Sequence, residues 1–154
     1  MKVKLLLSIF AIFLILALVG CEITQPEDPN ETIPPCLPEW ARAEHEVYSY
    51  WRAIINRQYE LAKWHCILDG IWHNKTDEWE EYINDNSEGE ASVIILEPSF
   101  YEQTEIIGDI AVVYVRIYAN KIAFPGSYVI EVDTFKYGIE LIKETSPPGD
   151  WKLK

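Results

Sequence analysis

The feature that most limits how this chain can fold is a change of hydrophobic period near Ala91. Before it, apolar residues return every three or four positions, the spacing of one helix face; after it, β-branched and aromatic runs alternate with turn residues, the texture of strands. Trp40, Ala43, Val47, Tyr48, Trp51, Ile54 and Ile55 form one helical stripe. It opens after Pro38, which suits a first helical turn, and breaks at Asn56-Arg57-Gln58. A second helix is expected through Leu61, Trp64, His65 and Leu68, which share a face, ending at Asp69-Gly70 with Gly70 as C-terminal cap. Thr76 ahead of Asp77 and Glu78 supplies a capping hydroxyl and two acids for a third, short helix over 77–84.

Strands are expected over 93–96, 100–107, 110–119, 128–135, 137–143 and 151–153. Gly108-Asp109 suits a tight hairpin, and Pro125-Gly126 and Pro147-Pro148-Gly149-Asp150 mark two further turns. Helices first and a mostly antiparallel sheet afterwards make an α+β domain over residues 39–154. With six Trp and nine Tyr in the chain, many rings must be buried for such a domain to stay soluble.

The N-terminus follows different rules. Lys2 and Lys4 precede an uncharged apolar run from Leu5 to Leu18, the layout of an export signal. As a transmembrane helix that run falls short of the roughly 20 apolar residues a bilayer needs, and small residues follow it instead of a basic stop. Leu18-Val19-Gly20-Cys21 resembles the lipobox of bacterial lipoproteins at all four positions. The resemblance implies cleavage after Gly20 and fatty chains on Cys21, and two or more chains anchor a protein stably where one does so marginally. Residues 1–20 are then the signal peptide and 21–38 a lipidated tether, which holds five of the nine prolines and has no apolar periodicity. By resemblance to envelope sorting rules, Glu22 is not the retaining Asp, so the expected location is the outer membrane where one exists, and otherwise the outer face of the cytoplasmic membrane.

Cleavage would remove two of the 13 basic residues and none of the 25 acidic ones, taking the formal charge from −12 to about −14. That charge opposes nucleic acid and anionic headgroups, and the scattered acids read first as a solvated face. His45, His65 and His73 have no ligand pairs at helical spacing, and there is no Cys-x-x-Cys, phosphate-cradling glycine loop, dinucleotide fingerprint or nucleophile elbow. No metal and no cofactor are expected.

Three segments carry a second resemblance. Asn56-Arg57-Gln58-Tyr59-Glu60-Leu61-Ala62, Gly108-Asp109-Ile110-Ala111-Val112-Val113, and Leu141-Ile142-Lys143-Glu144 with Trp151-Lys152-Leu153 look like the first helix junction, central hairpin and closing strands of the nuclear transport factor 2-like superfamily of cone-shaped domains. The segment 121–136, with Phe124-Pro125-Gly126, departs from the shortest family pattern and reads as an extra hairpin at the rim. The resemblance implies a curved sheet with a cavity beneath the first helix, where enzymes of the superfamily keep an acid-base group. Trp40, Glu44, Tyr48 and Trp51 are the expected lining. Glu44 is a catalytic candidate, since a carboxylate on an apolar face would have a raised pKa; the alternative is an edge carboxylate that reaches water or a basic partner. His65 is the other, against the alternative of a core histidine hydrogen-bonded to backbone.

Along 110–119 the alternation puts Ala111, Val113, Val115 and Ile117 on one face and Tyr114, Arg116 and Tyr118 on the other. The second set is rich in residue types found at interface centres, and superfamily members often dimerise there. With Cys21 lipidated, Cys36 and Cys66 remain as an even pair in an exported domain, which suggests a disulfide between them, against two free thiols. Two functions stay open: an envelope module that binds a small apolar ligand or another protein, and a small isomerase- or dehydratase-like enzyme using Glu44 or His65.

Overall fold

The computed structural model describes residues 37–87, 92–126, 128–145 and 150–154. The signal segment, Cys21, the tether and Cys36 lie outside the described residues, and with them the cleavage, lipidation and disulfide expectations. No helix of the described residues is long and apolar enough to cross a membrane.

Helix α1, Glu39–Ile55, follows Pro38, whose carbonyl accepts from the Arg42 N–H at 3.1 Å. Its buried residues Ala43, Val47, Tyr50 and Ile54 return at helical spacing, and Trp51 joins them at 0% exposure. The helix stops in a tight reversal: Gln58 N–H donates to the Ala53 carbonyl, Arg57 N–H donates to that of Ile54, and Arg57 sits at φ 59°. This is the paired bonding of a Schellman cap, with arginine in a left-handed position that glycine fills most easily.

Helix α2 is a six-residue piece, Tyr59–Trp64, and helix α3 runs over Ile71–Asn86. Both depart from expectation. The second helix ends before His65 because residues 65–67 are recruited by the last strand: Leu153 N–H donates to the His65 carbonyl and Ile67 N–H to that of Leu153. The third begins at Ile71, so Gly70 lies at its N-terminus and Asp69 holds the left-handed position, φ 58°. A Cβ on Gly70 would meet the Ile67 carbonyl oxygen at 2.9 Å and the Lys154 backbone at 3.1 Å, so close approach of chain segments accounts for that glycine. Thr76 does not cap; it is fully buried inside the helix, its Oγ1 donating to the Trp72 carbonyl at 2.9 Å. The stripe that explains the longer helix is Trp72, Thr76, Trp79 and Ile83.

One strongly curled antiparallel sheet follows, in the order β1-β3-β4-β5, with β2 also on β3. β1 is Ser92–Phe100, β2 Glu105–Ile107, β3 Ile110–Ala123, β4 Tyr128–Lys143 and β5 Trp151–Leu153. The two expected strands 128–135 and 137–143 are one, so the segment 121–136 belongs to a long β3–β4 hairpin with a register shift beside Ala119. The expected strand 100–107 is interrupted. Between the pairs Phe100↔Val115 and Glu105↔Val112, the residues 101–104 stand opposite only Val113 and Tyr114, and the chain bulges. Pro98, which cannot donate to a ladder, is tolerated because β1 is an edge strand. Gly108, at φ 63°, opens the two-residue β2–β3 turn as the sequence predicts.

The fold is α+β, helices followed by a half-barrel sheet. Its core lies between α1, α3 and the concave side, where Ala111, Val113, Val115, Ile117 and Ala119 of β3 all have 0% exposure.

Candidate functional site

The space under α1 is occupied by rings. Trp51, Trp72 and Trp79 pack with Tyr50, Phe135 and Tyr137, centroid separations running from 5.1 to 6.4 Å, mostly edge to face. Edge-to-face contact suits the ring quadrupoles and adds ~0.5–1.5 kcal/mol per pair beyond area burial. Tyr50 directs its hydroxyl to Thr76 Oγ1 at 3.3 Å, and burial raises its pKa above the ordinary tyrosine value.

The quartet expected to line a cavity separates. Trp51 lies inside this ring cluster, but Trp40 is 51% exposed and Tyr48 47%. The buried stripe is centred on Ala43, Val47, Tyr50 and Ile54, and a helix of 3.6 residues per turn then points Tyr48 outward, whereas Trp40 lies on the same side as Val47 and is exposed in the helix's first turn. Glu44 takes a position at the stripe's edge, half-buried, where its Oε1 accepts from Thr104 Oγ1. Thr104 is brought there by the bulge after β1, so the partner was invisible to helix periodicity. Glu44 thus lies at the stripe's edge, and its partner is a hydroxyl, neither of the two partners expected there, water or a basic group.

His65 is 5% exposed, and its Nδ1 lies 2.9 Å from Glu46 Oε1. Lys152 Nζ stands 3.8 Å from that same carboxylate oxygen, donates to the Trp64 carbonyl at 2.9 Å, and rests 4.4 Å from the centroid of the Trp64 ring. Burial pushes the neighbouring Cys66 thiol up to about 12, with Glu46 adding to the shift, and its Sγ donates to the Ala62 carbonyl at 3.5 Å. Such a thiol is a poor nucleophile. Burial also lowers the His45 pKa, partly offset by Glu46. Sequence reading counted Glu46 only among solvated acids; the signal for its burial is its place three residues after Ala43 and four before Tyr50, on the face α1 turns inward.

On the convex side, Tyr114, Arg116 and Tyr118 point outward as the alternation predicts, and the structure joins Tyr101 to them. The Arg116 guanidinium lies 5.2 Å from the Tyr101 ring centroid and 5.8 Å from that of Tyr118, and Nη1 donates to the Tyr118 hydroxyl at 2.9 Å. Tyr101 and Tyr114 meet at 6.1 Å, Tyr114 donates to Glu105 Oε1 at 3.2 Å, and Lys136 Nζ stands 5.9 Å over Tyr101. Tyr101 had no place in an outward stripe read from 110–119, since it enters from the interrupted strand. Chemically, this arrangement offers flat apolar area and fixed cations, and the buried cluster offers a tied proton acceptor. Among the described residues no group of acids, histidines and cysteines is placed to hold a metal ion.

No protein-family model matches the chain, and no curated protein does. Among solved structures, it is similar to a conserved protein from Planctomyces limnophilus DSM 3776, with a TM-score of 0.46 and 17% identity over 72% of this chain and 88% of that one.

Proposed function

We propose that the chain is a lipid-anchored protein of the bacterial envelope, and that its domain, of the nuclear transport factor 2-like kind, binds protein partners through the convex face of its sheet. The observation that carries this reading is the contrast between a concave side filled by packed rings and a convex side where Tyr101, Tyr114, Arg116 and Tyr118 hold one another in place. A small apolar ligand would have to displace Trp51, Trp72 or Trp79, whereas a partner surface meets aromatic and guanidinium groups whose rotamers are already restricted. The two enzyme candidates do not converge: Glu44 is engaged by Thr104, and His65 by Glu46. A second copy of this chain is one partner such a face accommodates.

Metabolic labelling with a fatty acid tests the anchor. The wild type is expected to take the label and partition into detergent, and Cys21→Ser to do neither; an unlabelled wild type defeats the anchor reading. Sedimentation of the chain in detergent tests self-association. A monomer at micromolar concentration removes the second copy from the partners of the convex face.

A further inference from the structure

β4 is long, but β5 covers little of it. Their pairing spans Leu141–Lys143, extended to Glu140, whose carbonyl accepts from Lys154 N–H at 2.9 Å. In an antiparallel ladder the backbone groups of successive residues turn to opposite sides. Lys143 N–H donates to Asp109 on the β3 side at 2.9 Å, so the odd residues of this stretch face β3 and the even ones face the other edge. Glu140 is used there by Lys154. Gly138 and Lys136 come next along the same edge, and among the described residues no strand pairs with them on that side.

A groove of about 370 Å³ adjoins this open edge. Ile71, 69% exposed, with Trp72 and Tyr137 forms its apolar wall. Lys75 and Lys154 stand in its lining, each with a surface acid for company, Glu78 at 3.0 Å and Glu140 at 2.8 Å. Lys136 offers this edge its backbone, its Nζ standing over the Tyr101 ring on the convex face. Two lysines line this one groove in a chain of net charge −12, and exposed pairs of this kind are held weakly.

We propose that this edge receives an extended segment of a partner polypeptide, added to β4 as a further strand in line with β5. Its backbone would bond to Gly138 and Lys136, one apolar side chain would enter the groove beside Ile71, Trp72 and Tyr137, and flanking acidic side chains would meet the lysines. Strand addition supplies affinity through main-chain bonds and selectivity through alternate side chains. The lysines favour an acidic segment over a basic one. This site is separate from the convex face and does not require the lipid anchor.

The probe is the peptide acetyl-Glu-Val-Glu-Leu-Glu-Val-Glu-amide, added to the ¹⁵N-labelled full chain in detergent. Saturable binding is expected, with amide exchange at Gly138 and Lys136 slowed tenfold or more. Of two versions N-methylated at alternate amides, the one that loses the donors facing β4 should fail and the other should bind. Ile71→Glu, at an exposed position that folding tolerates, should weaken binding at least tenfold. The proposal is overturned if millimolar peptide leaves the Gly138 and Lys136 amides unchanged, if both methylated versions bind like the parent, or if lysine in place of each glutamate binds equally well.

Discussion

The two faces of β3 share a backbone and differ in everything else. Residues 111, 113, 115, 117 and 119 are sealed at 0% exposure beneath α1, while Tyr114, Arg116 and Tyr118 between them remain half-buried and are ordered by one another. On the inner face, position is set by packing density, so each side chain depends on neighbours from other elements. On the outer face it is set by a few directional contacts within the sheet. A strand with period two can thus separate what holds the fold from what meets a partner, because a substitution on one face leaves the other in register.

The sharpest test of that separation is Trp51→Ala. Trp51 is fully buried and touches rings from α1, α3 and β4, so its removal should cost about 3–5 kcal/mol in a denaturant titration. A loss below about 1 kcal/mol would mean the ring cluster does not hold the core. Glu46→Ala comes next, since it strips a buried partner from His65 and removes the carboxylate near Lys152; about 1–3 kcal/mol should be lost, measured the same way. Arg116→Ala, on the outer face, should change stability by less than about 1 kcal/mol yet weaken self-association or partner binding about tenfold or more. Equal effects on both readouts would break the division between the faces.

The smallest expected effect is a pH dependence. Burial lowers the folded pKa of His45 from 6.5, so as the pH falls the unfolded chain takes up this proton first. The contribution of His45 is therefore complete above about pH 6.5 and is lost as the pH drops toward the folded value. His45→Gln should flatten the stability profile below about pH 6.5; an unchanged slope would show that other groups set it.

The α+β order, the helix break at Asn56-Arg57-Gln58, the Gly108 turn and the inward alternation of β3 were legible because each depends on local chemistry: a period, a cap, a turn residue. The lining of the interior was not. Trp40 and Tyr48 satisfy the same loose three-and-four spacing as Val47 and Trp51; the angle at which α1 meets the sheet leaves Tyr48 on the uncovered side, and Trp40 is exposed in the helix's first turn. Thr76 resembled a cap because a hydroxyl before two acids is a common helix start; what overrode it was Trp72, one turn earlier, finding Tyr137. Glu46 and His65 lie 19 residues apart, and their contact depends on how α1 and α2 pack, which no window of sequence contains.

The seam between α2 and α3 has a consequence for how the chain matures. His65 and Ile67 are bonded to Leu153, Trp72 N–H donates to the Lys154 carbonyl, and Lys152 reaches the Trp64 carbonyl across 88 positions of sequence. A chain delivered N-terminus first presents its helices long before the strand that closes them is available. Until then Cys66 and Trp72, buried in the finished domain, lack the strand they adjoin, and the acquisition of the native state waits on a contact of high sequence separation, the slow kind. During that interval the half-made domain exposes a sticky seam, which makes the closing strand a timer for when the molecule stops needing escort.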